Sequence, residues 1–164
     1  MPETAPPPIR QGETTLPFDP TERPDATISF IGRIRSPWTE QAQCPRNIAG
    51  ARRSGQGARI ELAPGYEAGL AGLSVGQPVM LLYWMDRAHR NLIVQMPGHA
   101  DGPRGTFALR SPNRPNPVAM SCVTITAIRQ QDGIVEIDAI DCLDGTPLVD
   151  LKPWKETIDT PDSA

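Results

Sequence analysis

The chain has 164 residues, enough for one hydrophobic core of ordinary domain size but too few for two. Only 38% of the residues are hydrophobic and 19 are prolines, so part of the chain is not expected to pack into a core. The net charge of −3 disfavours a nucleic-acid partner unless cations cluster locally, and the absence of a long apolar run or an export signal predicts a soluble, cytoplasmic protein without a membrane segment.

Regular structure is predicted to begin after an N-terminal arm. Residues 1–27 are rich in proline and poor in large apolar groups, which predicts a flexible arm because little buried surface offsets its ordering entropy. Alternating apolar and polar residues predict a half-buried strand over Ile28–Arg35 and a shorter strand over Ala58–Leu62. A proline-glycine turn then predicts a short helix over Tyr66–Leu73.

The rest of the chain predicts mostly strands. The apolar run Pro78–Met85 predicts a strand buried on both faces. Further strands are predicted at Leu92–Gln95, at Thr106–Arg110, at Met120–Arg129 in a hairpin with Ile134–Cys142, and at Pro147–Leu151. About seven short strands and one small helix predict a mainly β domain over residues 28–154, either a single-sheet, partly closed β-barrel or a sandwich. An irregular tail is expected over 155–164.

The cysteines and histidines predict neither disulfides nor a metal site. Cys44, Cys122 and Cys142 are odd in number and widely spaced, which is typical of reduced thiols. His89 and His99 lie ten residues apart, too far for a local pair of metal ligands. We therefore predict no metal.

The net charge conceals a local excess of cations. Residues 33–59 hold six arginines against one glutamate, a net charge of +5, whereas residues 132–162 carry nine acidic residues against two lysines. The basic stretch is either part of a positive face or a set of solvated loops, and the count alone does not decide between them.

The segment Arg110–Pro117 is the most unusual in the chain. Its three prolines restrict their own φ angles and the residues before them, so its shape is largely set before tertiary contacts form. A stiff loop that carries two arginines and two asparagines suits recognition of an anion beside a base edge. It could also be a rigid connector between strands, or a PxxP docking peptide.

Two other segments could bind a ligand. In Asp141–Pro147, a carboxylate and bare backbone amides at a strand end could bind a cationic or hydroxyl-bearing ligand, although Asp144-Gly145 first predicts a hairpin turn. Cys44–Asn47 is a polar loop in the basic stretch, or an ordinary surface turn.

These segments carry a resemblance to a known family. In register from about Ile28 to Trp154, the chain resembles the TrmO family, with RSxxRPNP followed by DGTPxxDxKP as the specific motifs. The matching segments are Ile31–Trp38, Pro45–Asn47, Gly105–Pro117 and Leu143–Trp154.

The resemblance implies a dimeric, single-sheet β-barrel methyltransferase that uses S-adenosylmethionine and lacks a Rossmann domain. The implied substrate is N6 of threonylcarbamoyl-adenosine at position 37 of a threonine tRNA. By resemblance, the cofactor contacts fall on Pro45, Arg46, Asn47, Met85, Asp86, Arg110, Cys122, Leu143, Asp144, Gly145 and Thr146. Arg114 and Asn116 would shape the site of methyl transfer, and Asp144 or Asp86 could accept the proton.

Two positions depart from the family pattern. Met85-Asp86 stands where members usually have an aromatic residue followed by histidine, and Pro45-Arg46-Asn47 stands where they have Pro-Arg-Gln. Two alternatives therefore stay open: a non-catalytic barrel that binds S-adenosylmethionine or RNA, and a methyltransferase with a different substrate.

Overall fold

The computed structural model describes residues 8–22, 25–98 and 100–161. Parts of the predicted N-terminal arm and C-terminal tail lie outside these ranges, as does His99.

The described residues form a mainly β protein. The strands are β1 (Thr14–Thr15), β2 (Gly32–Arg35), β3 (Ala58–Leu62), β4 (Pro78–Trp84), β5 (Leu92–Gln95), β6 (Arg104–Gly105), β7 (Val118–Arg129), β8 (Ile134–Ile137) and β9 (Thr146–Pro153). The α-helices are α1 (Ile48–Ser54) and α2 (Glu156–Asp159), and short 3-10 helices lie at Pro20–Glu22, Glu67–Leu70, Thr106–Ala108 and Gln130–Asp132. None of the helices in the described ranges is long and apolar enough to cross a bilayer.

Six of the strands follow one another around a closed ring in the order β2-β3-β8-β7-β4-β9. The remaining strands form a small sheet in the order β1-β5-β6. The predicted mainly β fold is confirmed, with the described strands in two sheets rather than in the predicted single one. The small sheet was not distinguished by the sequence, because β1 and β6 are only two residues long and lack a readable alternation.

The chain divides into two compact units. One unit comprises residues 1–28 and 84–119, and the other comprises residues 29–83 and 120–164. The first holds the small sheet and the segment Arg110–Pro117, and the second holds most of the ring.

The core of the ring unit comes from alternate residues of its strands. The fully buried side chains include Ile34, Ile60, Val79, Leu81, Val123, Ile125, Val135, Ile137 and Leu148. The prediction that the apolar run in β4 is buried on both faces is wrong, because Met80 and Leu82 are half-buried while Leu81 and Tyr83 are buried. A strand in a closed single layer turns only one face to the core.

Several predicted elements differ in the structure. The strand predicted from Ile28 begins only at Gly32, and Ile28 is 51% exposed. The strand predicted at Thr106–Arg110 is instead a 3-10 helix over Thr106–Ala108.

The helices also differ from prediction. The helix predicted at Tyr66–Leu73 is a single 3-10 turn, and α1 was missed because Ala51 is its one buried residue, which gives no helical apolar period. The tail predicted to be irregular contains the single turn of α2.

Gly32 provides a close approach between strands. It pairs with Leu62 of β3 and with Leu148 of β9. A Cβ atom at this position would lie 2.8 Å from the Cα atom of Leu62 and would overlap the carbonyl oxygen of Glu61. Both neighbours are backbone atoms in paired strands, so they cannot move aside independently.

We therefore expect Gly32→Ala to lower the free energy of unfolding by roughly 1–3 kcal/mol, the usual cost of overpacking. Urea titration followed by circular dichroism measures the change. Gly69→Ala is the matched control, since a Cβ there meets nothing within 4 Å. Equal midpoints for the two variants would contradict the close approach.

Candidate functional site

The segment Leu143–Thr146 leads into β9, but it is not a hairpin turn. β9 pairs with β2 and β4, whereas β8 pairs with β3 and β7. The interpretation of Asp144-Gly145 as a hairpin between neighbouring strands is therefore wrong. The segment crosses between strands that are not adjacent in the ring, and Gly145 makes the bend with a φ of +80°.

Backbone hydrogen bonds fix this turn to the end of β2. The amide of Asp144 donates to the carbonyl oxygen of Trp38 at 2.7 Å, and the amide of Gly145 donates to that of Ile34 at 2.9 Å. The Thr146 hydroxyl donates to the carbonyl oxygen of Leu143 at 2.7 Å. The expectation of bare backbone amides at this strand end is wrong for Asp144 and Gly145, because both are already donating.

One backbone amide and two arginine side chains from residues 33–36 complete the support. The amide of Ser36 donates to Oδ1 of Asp144 at 3.1 Å, and Nη1 of Arg35 lies 3.6 Å from its Oδ2. Nη1 of Arg33 donates to the carbonyl oxygen of Gly145 at 2.8 Å. Sequence reasoning did not assign these residues to the turn, because their partner lies more than a hundred positions away.

Arg35 links the turn to the neighbouring strand. Its Nε donates to the carboxylate of Glu61 at 2.8 Å, and this bond is the leading cause that holds the pKa of Glu61 below its ordinary value. Arg59 pairs with the other oxygen of Glu61 at 2.7 Å. The guanidinium of Arg35 therefore contacts both the carboxylate of Glu61 in β3 and the carboxylate of Asp144.

The loop Cys44–Asn47 begins α1. Oδ1 of Asn47 accepts a hydrogen bond from the amide of Gly50 at 2.8 Å, so Asn47 is the N-cap of the helix. Arg46 is exposed, and within the described ranges no hydrogen bond or ion pair engages its guanidinium. The sequence-predicted residues of this loop thus divide into a structural cap and an available cation.

Helix α1 is held against β7 close to Cys122. Nη2 of Arg52 donates to the carbonyl oxygen of Cys122 at 2.6 Å, and its Nε donates to Asp138 at 2.9 Å. The half-buried thiol of Cys122 has a pKa above its ordinary value, chiefly because of desolvation.

A hydroxyl and carboxylate cluster lies next to these segments in the ring unit. The hydroxyls of Tyr83 and Ser121 both contact Oδ1 of Asp141, at 3.1 and 3.0 Å. Burial, and to a smaller extent the Asp141 charge, raise the pKa of the Cys44 thiol to about 11. The sequence analysis placed Asp141 in a candidate binding segment but missed Tyr83 and Ser121, because these two residues read only as members of predicted strands.

The segment Arg110–Pro117 lies in the other unit together with Met85 and Asp86. The amide of Met85 donates to the carbonyl oxygen of Pro117 at 2.9 Å, which brings the end of β4 beside this proline-rich segment. Arg110, Asp86 and Asn116 are exposed, and Arg114 is half-buried.

Arg114 and Asn113 contribute to the shape of their own loop. Nη2 of Arg114 donates to the carbonyl oxygens of Thr106 and Leu109, both at 3.1 Å. Oδ1 of Asn113 accepts a hydrogen bond from the amide of His89 at 3.0 Å. Part of the polar capacity assigned to ligand recognition is therefore used to brace the loop.

Gln95 and Arg90 are the supports that sequence reasoning missed. The buried Nε2 of Gln95 donates to Oγ1 of Thr106 and to the carbonyl oxygen of Asn113, both at 2.8 Å. Nε of Arg90 donates to the carbonyl oxygen of Pro115 at 2.7 Å, and its guanidinium lies 5.3 Å from the centre of the Trp84 ring. A buried glutamine at the end of apolar β5 was the available signal, because a buried amide needs partners.

We expect Gln95→Leu to destabilise the protein by about 1–3 kcal/mol, since it leaves the carbonyl oxygen of Asn113 without its donor. Urea titration measures the loss, and amide hydrogen exchange should show faster opening near Asn113. Gln56→Leu is the control, because within the described ranges the Gln56 side chain makes no hydrogen bond. Unchanged exchange in Gln95→Leu would contradict the bracing role.

The comparisons with known proteins agree with this architecture. Residues 33–160 match the family described as tRNA-methyltransferase O N-terminal domain. A protein of Archaeoglobus fulgidus named "Probable S-adenosyl-L-methionine-binding protein" is 37% identical over 131 residues, covering 79% of this chain and 34% of the relative. The "tRNA (adenine(37)-N6)-methyltransferase" of Escherichia coli K12 is 32% identical over 131 residues, covering 76% of this chain and 55% of the relative. The solved structure described as "Crystal structure of TrmO" aligns with a TM-score of 0.68 and 29% identity, covering 86% of this chain and 62% of that chain.

The ring pairings whose register is described are antiparallel, and most of the candidate residues lie on loops between the strands. A Rossmann domain has a mostly parallel sheet, so this is a β protein of another class. The chain belongs to the TrmO family, as the motifs predicted. It spans 34% of the length of the Archaeoglobus relative and 55% of that of the E. coli relative.

Proposed function

We propose that this protein binds S-adenosylmethionine and transfers its methyl group to N6 of adenine 37 of a tRNA. The observation that carries the proposal is the match of residues 33–160 to the tRNA-methyltransferase O N-terminal domain, a span that contains both characteristic motifs. The names of the Archaeoglobus and E. coli relatives support the cofactor and the acceptor, respectively.

The finer parts of the proposal follow from the family resemblance. The acceptor is threonylcarbamoyl-adenosine in a threonine tRNA, and the protein works in the cytoplasm as a homodimer. The functional domain is residues 28–154, with the N-terminal arm and the C-terminal tail as appendages.

The proposed cofactor contacts are the residues that the family resemblance implies. They are Pro45, Arg46, Asn47, Met85, Asp86, Arg110, Cys122 and Leu143–Thr146. The donor set fits the cofactor chemically, because the exposed guanidinium of Arg46 has no partner among the described residues and suits a carboxylate.

When bound, S-adenosylmethionine supplies an electrophilic methyl group on a sulfonium. The residues proposed to act on the acceptor are Arg114, Asn116 and Asp144. Arg114 and Asn116 orient the acceptor through guanidinium and amide groups held by the proline-rich segment, so positioning supplies most of the rate. The Asp144 carboxylate takes up the proton that N6 loses, and Ser36 and Arg35 hold it in place.

The deciding experiment combines the full chain with methyl-labelled S-adenosylmethionine and tRNA from cells that lack this methylation. Nucleoside mapping by mass spectrometry should place the label on N6 of threonylcarbamoyl-adenosine 37. Label on another nucleoside would support methyltransferase activity but contradict the proposed substrate. Cofactor binding without transfer to any nucleic acid would favour the non-catalytic alternative, and absence of cofactor binding would overturn the proposal.

Arg114→Ala should reduce methyl transfer by at least about 100-fold, because an acceptor-orienting group is lost, while the dissociation constant for S-adenosylmethionine changes little. Single-turnover assays and calorimetry measure the two effects. Arg104→Ala is the control, since the hydrogen bond of the exposed Arg104 side chain goes to the neighbouring Pro103. Equal loss of transfer and of cofactor binding would contradict this division of roles.

Asp144→Ala should weaken binding of S-adenosylmethionine by roughly 10-fold, the effect of losing one hydrogen bond to a charged group. Calorimetry measures the affinity. Asp150→Ala removes a carboxylate that pairs with Lys152 on the same ring and should leave the affinity unchanged. Equal affinities for the two variants would remove Asp144 from the cofactor site.

A further inference from the structure

Asp141 is a half-buried carboxylate to which the proposed mechanism gives no role. It lies between the buried residues Ile140 and Cys142, just before the turn that enters β9. Its Oδ1 contacts the hydroxyls of Tyr83 at 3.1 Å and Ser121 at 3.0 Å, and these two hydroxyls lie 2.9 Å apart. Tyr83 and Ser121 are only 3% and 6% exposed, so the carboxylate is held by a buried and rigid pair of donors.

The second oxygen of Asp141 has no partner in the described part of the chain. The hydrogen bonds of Asp141 within residues 8–22, 25–98 and 100–161 all fall on Oδ1. Other carboxylates of the ring unit are paired with cations, for example Asp138 with Arg52 and Asp144 with Arg35. Within the same ranges, no such ion pair reaches Asp141.

Two groups that Asp141 influences in the described part of the chain, Cys44 and Tyr83, carry no compensating charge. Burial and the Asp141 charge raise the pKa of Cys44 to about 11, so this thiol is neutral at pH 7. The pKa of Tyr83 is also raised, first by burial and then by Asp141, so this phenol is neutral as well. The second oxygen of Asp141 reaches the surface, because in the described part of the chain no buried side-chain oxygen lacks a hydrogen-bond partner. This oxygen is therefore open to a cationic ligand.

The chain segments that meet at Asp141 continue directly into the proposed cofactor contacts. Ser121 precedes Cys122, Cys44 precedes Pro45, and Asp141 stands two residues before Leu143. Asp141 and its partner Ser121 are therefore close in sequence to proposed cofactor contacts in the same unit. The inference rests on the proposed function, since it concerns the same cofactor.

We propose that Oδ2 of Asp141 binds the α-ammonium group of S-adenosylmethionine. The cofactor carries two cations, the ammonium and the sulfonium. A carboxylate against the sulfonium would stabilise the ground state more than the transition state, in which that charge is being lost. The ammonium keeps its charge throughout the reaction, so pairing it with Asp141 anchors the cofactor without slowing the transfer. Tyr83 and Ser121 are positioning residues that orient the carboxylate.

Calorimetry on the full chain with three ligands tests the assignment. S-adenosylmethionine has both cations, S-adenosylhomocysteine keeps only the ammonium, and 5′-methylthioadenosine has neither. Asp141→Asn should weaken the first two by about 10-fold or more, as expected for a lost charge-assisted bond, and should leave the third unchanged. Asp150→Asn is the control and should bind all three like the wild type.

Each other outcome overturns the assignment. Unchanged affinity of Asp141→Asn for S-adenosylhomocysteine would place the carboxylate against the sulfonium or outside the site. Equal loss for all three ligands would mean a contact to the nucleoside or a damaged pocket. A wild-type protein that binds none of the three would instead sink the proposed function itself, so the two failures are distinguishable.

Ser121→Ala and Tyr83→Phe provide the same test if Asp141→Asn does not fold. Each removes one hydroxyl that holds Oδ1 and keeps the carboxylate, so we expect a loss of about 3-fold to 10-fold for the two ammonium ligands and none for 5′-methylthioadenosine. A loss that also affects 5′-methylthioadenosine would mark these hydroxyls as purely structural.

Alkylation of Cys44 supplies a readout that needs no ligand. Because the Asp141 charge contributes to the raised pKa of the Cys44 thiol, Asp141→Asn should shift the pH midpoint of its iodoacetamide reaction below about 11. Peptide mapping separates Cys44 from Cys122. An unchanged midpoint would contradict a contribution of Asp141 to the raised pKa of the Cys44 thiol.

Discussion

The backbone hydrogen bonds from Asp144 and Gly145 to the end of β2 and the residues after it fix the connection between β8 and β9, two strands that are not adjacent in the ring. The chain leaves β8 on one part of the ring and enters β9 on another, and the amides of Asp144 and Gly145 donate to Trp38 and Ile34 along the way. With these donors occupied, the side chains of the turn are left to meet a ligand. The carboxylate of Asp144 is in turn set by Ser36 and Arg35. The same few bonds therefore fix the topology and orient a candidate functional group.

The proline-rich segment is made rigid by a different combination of forces. Prolines limit its backbone before folding, and buried or half-buried polar side chains then fix it after folding. Gln95 and Arg90 donate to carbonyl oxygens of this segment, and Arg114 folds one of its own donors back onto the preceding residues. The segment loses its conformational entropy during folding, so little further entropy is lost when a ligand binds.

Charge counting along the sequence overstates the free positive charge of the basic stretch. Arg35 and Arg59 share Glu61, and Arg52 pairs with Asp138, a residue from the acidic part of the chain. Arg33 donates to a backbone carbonyl oxygen. Much of the local excess of arginine is therefore used in holding strands and turns together, whereas the exposed guanidinium of Arg46 has no partner among the described residues.

The sequence by itself determined the mainly β fold, the bounds of β3 and β5, the family, and the segments on which the candidate residues lie, because these depend on apolar alternation and on local motifs. It could not determine α1, whose single buried residue leaves no period, or the burial of β4, whose uniform apolar run conceals that only one face meets the core. Only the tertiary structure decided which polar groups remain available. The supports of Asp144 and the hydroxyl pair on Asp141 come from distant parts of the chain, and hydrogen-bond saturation is a property of the folded arrangement that no local pattern encodes.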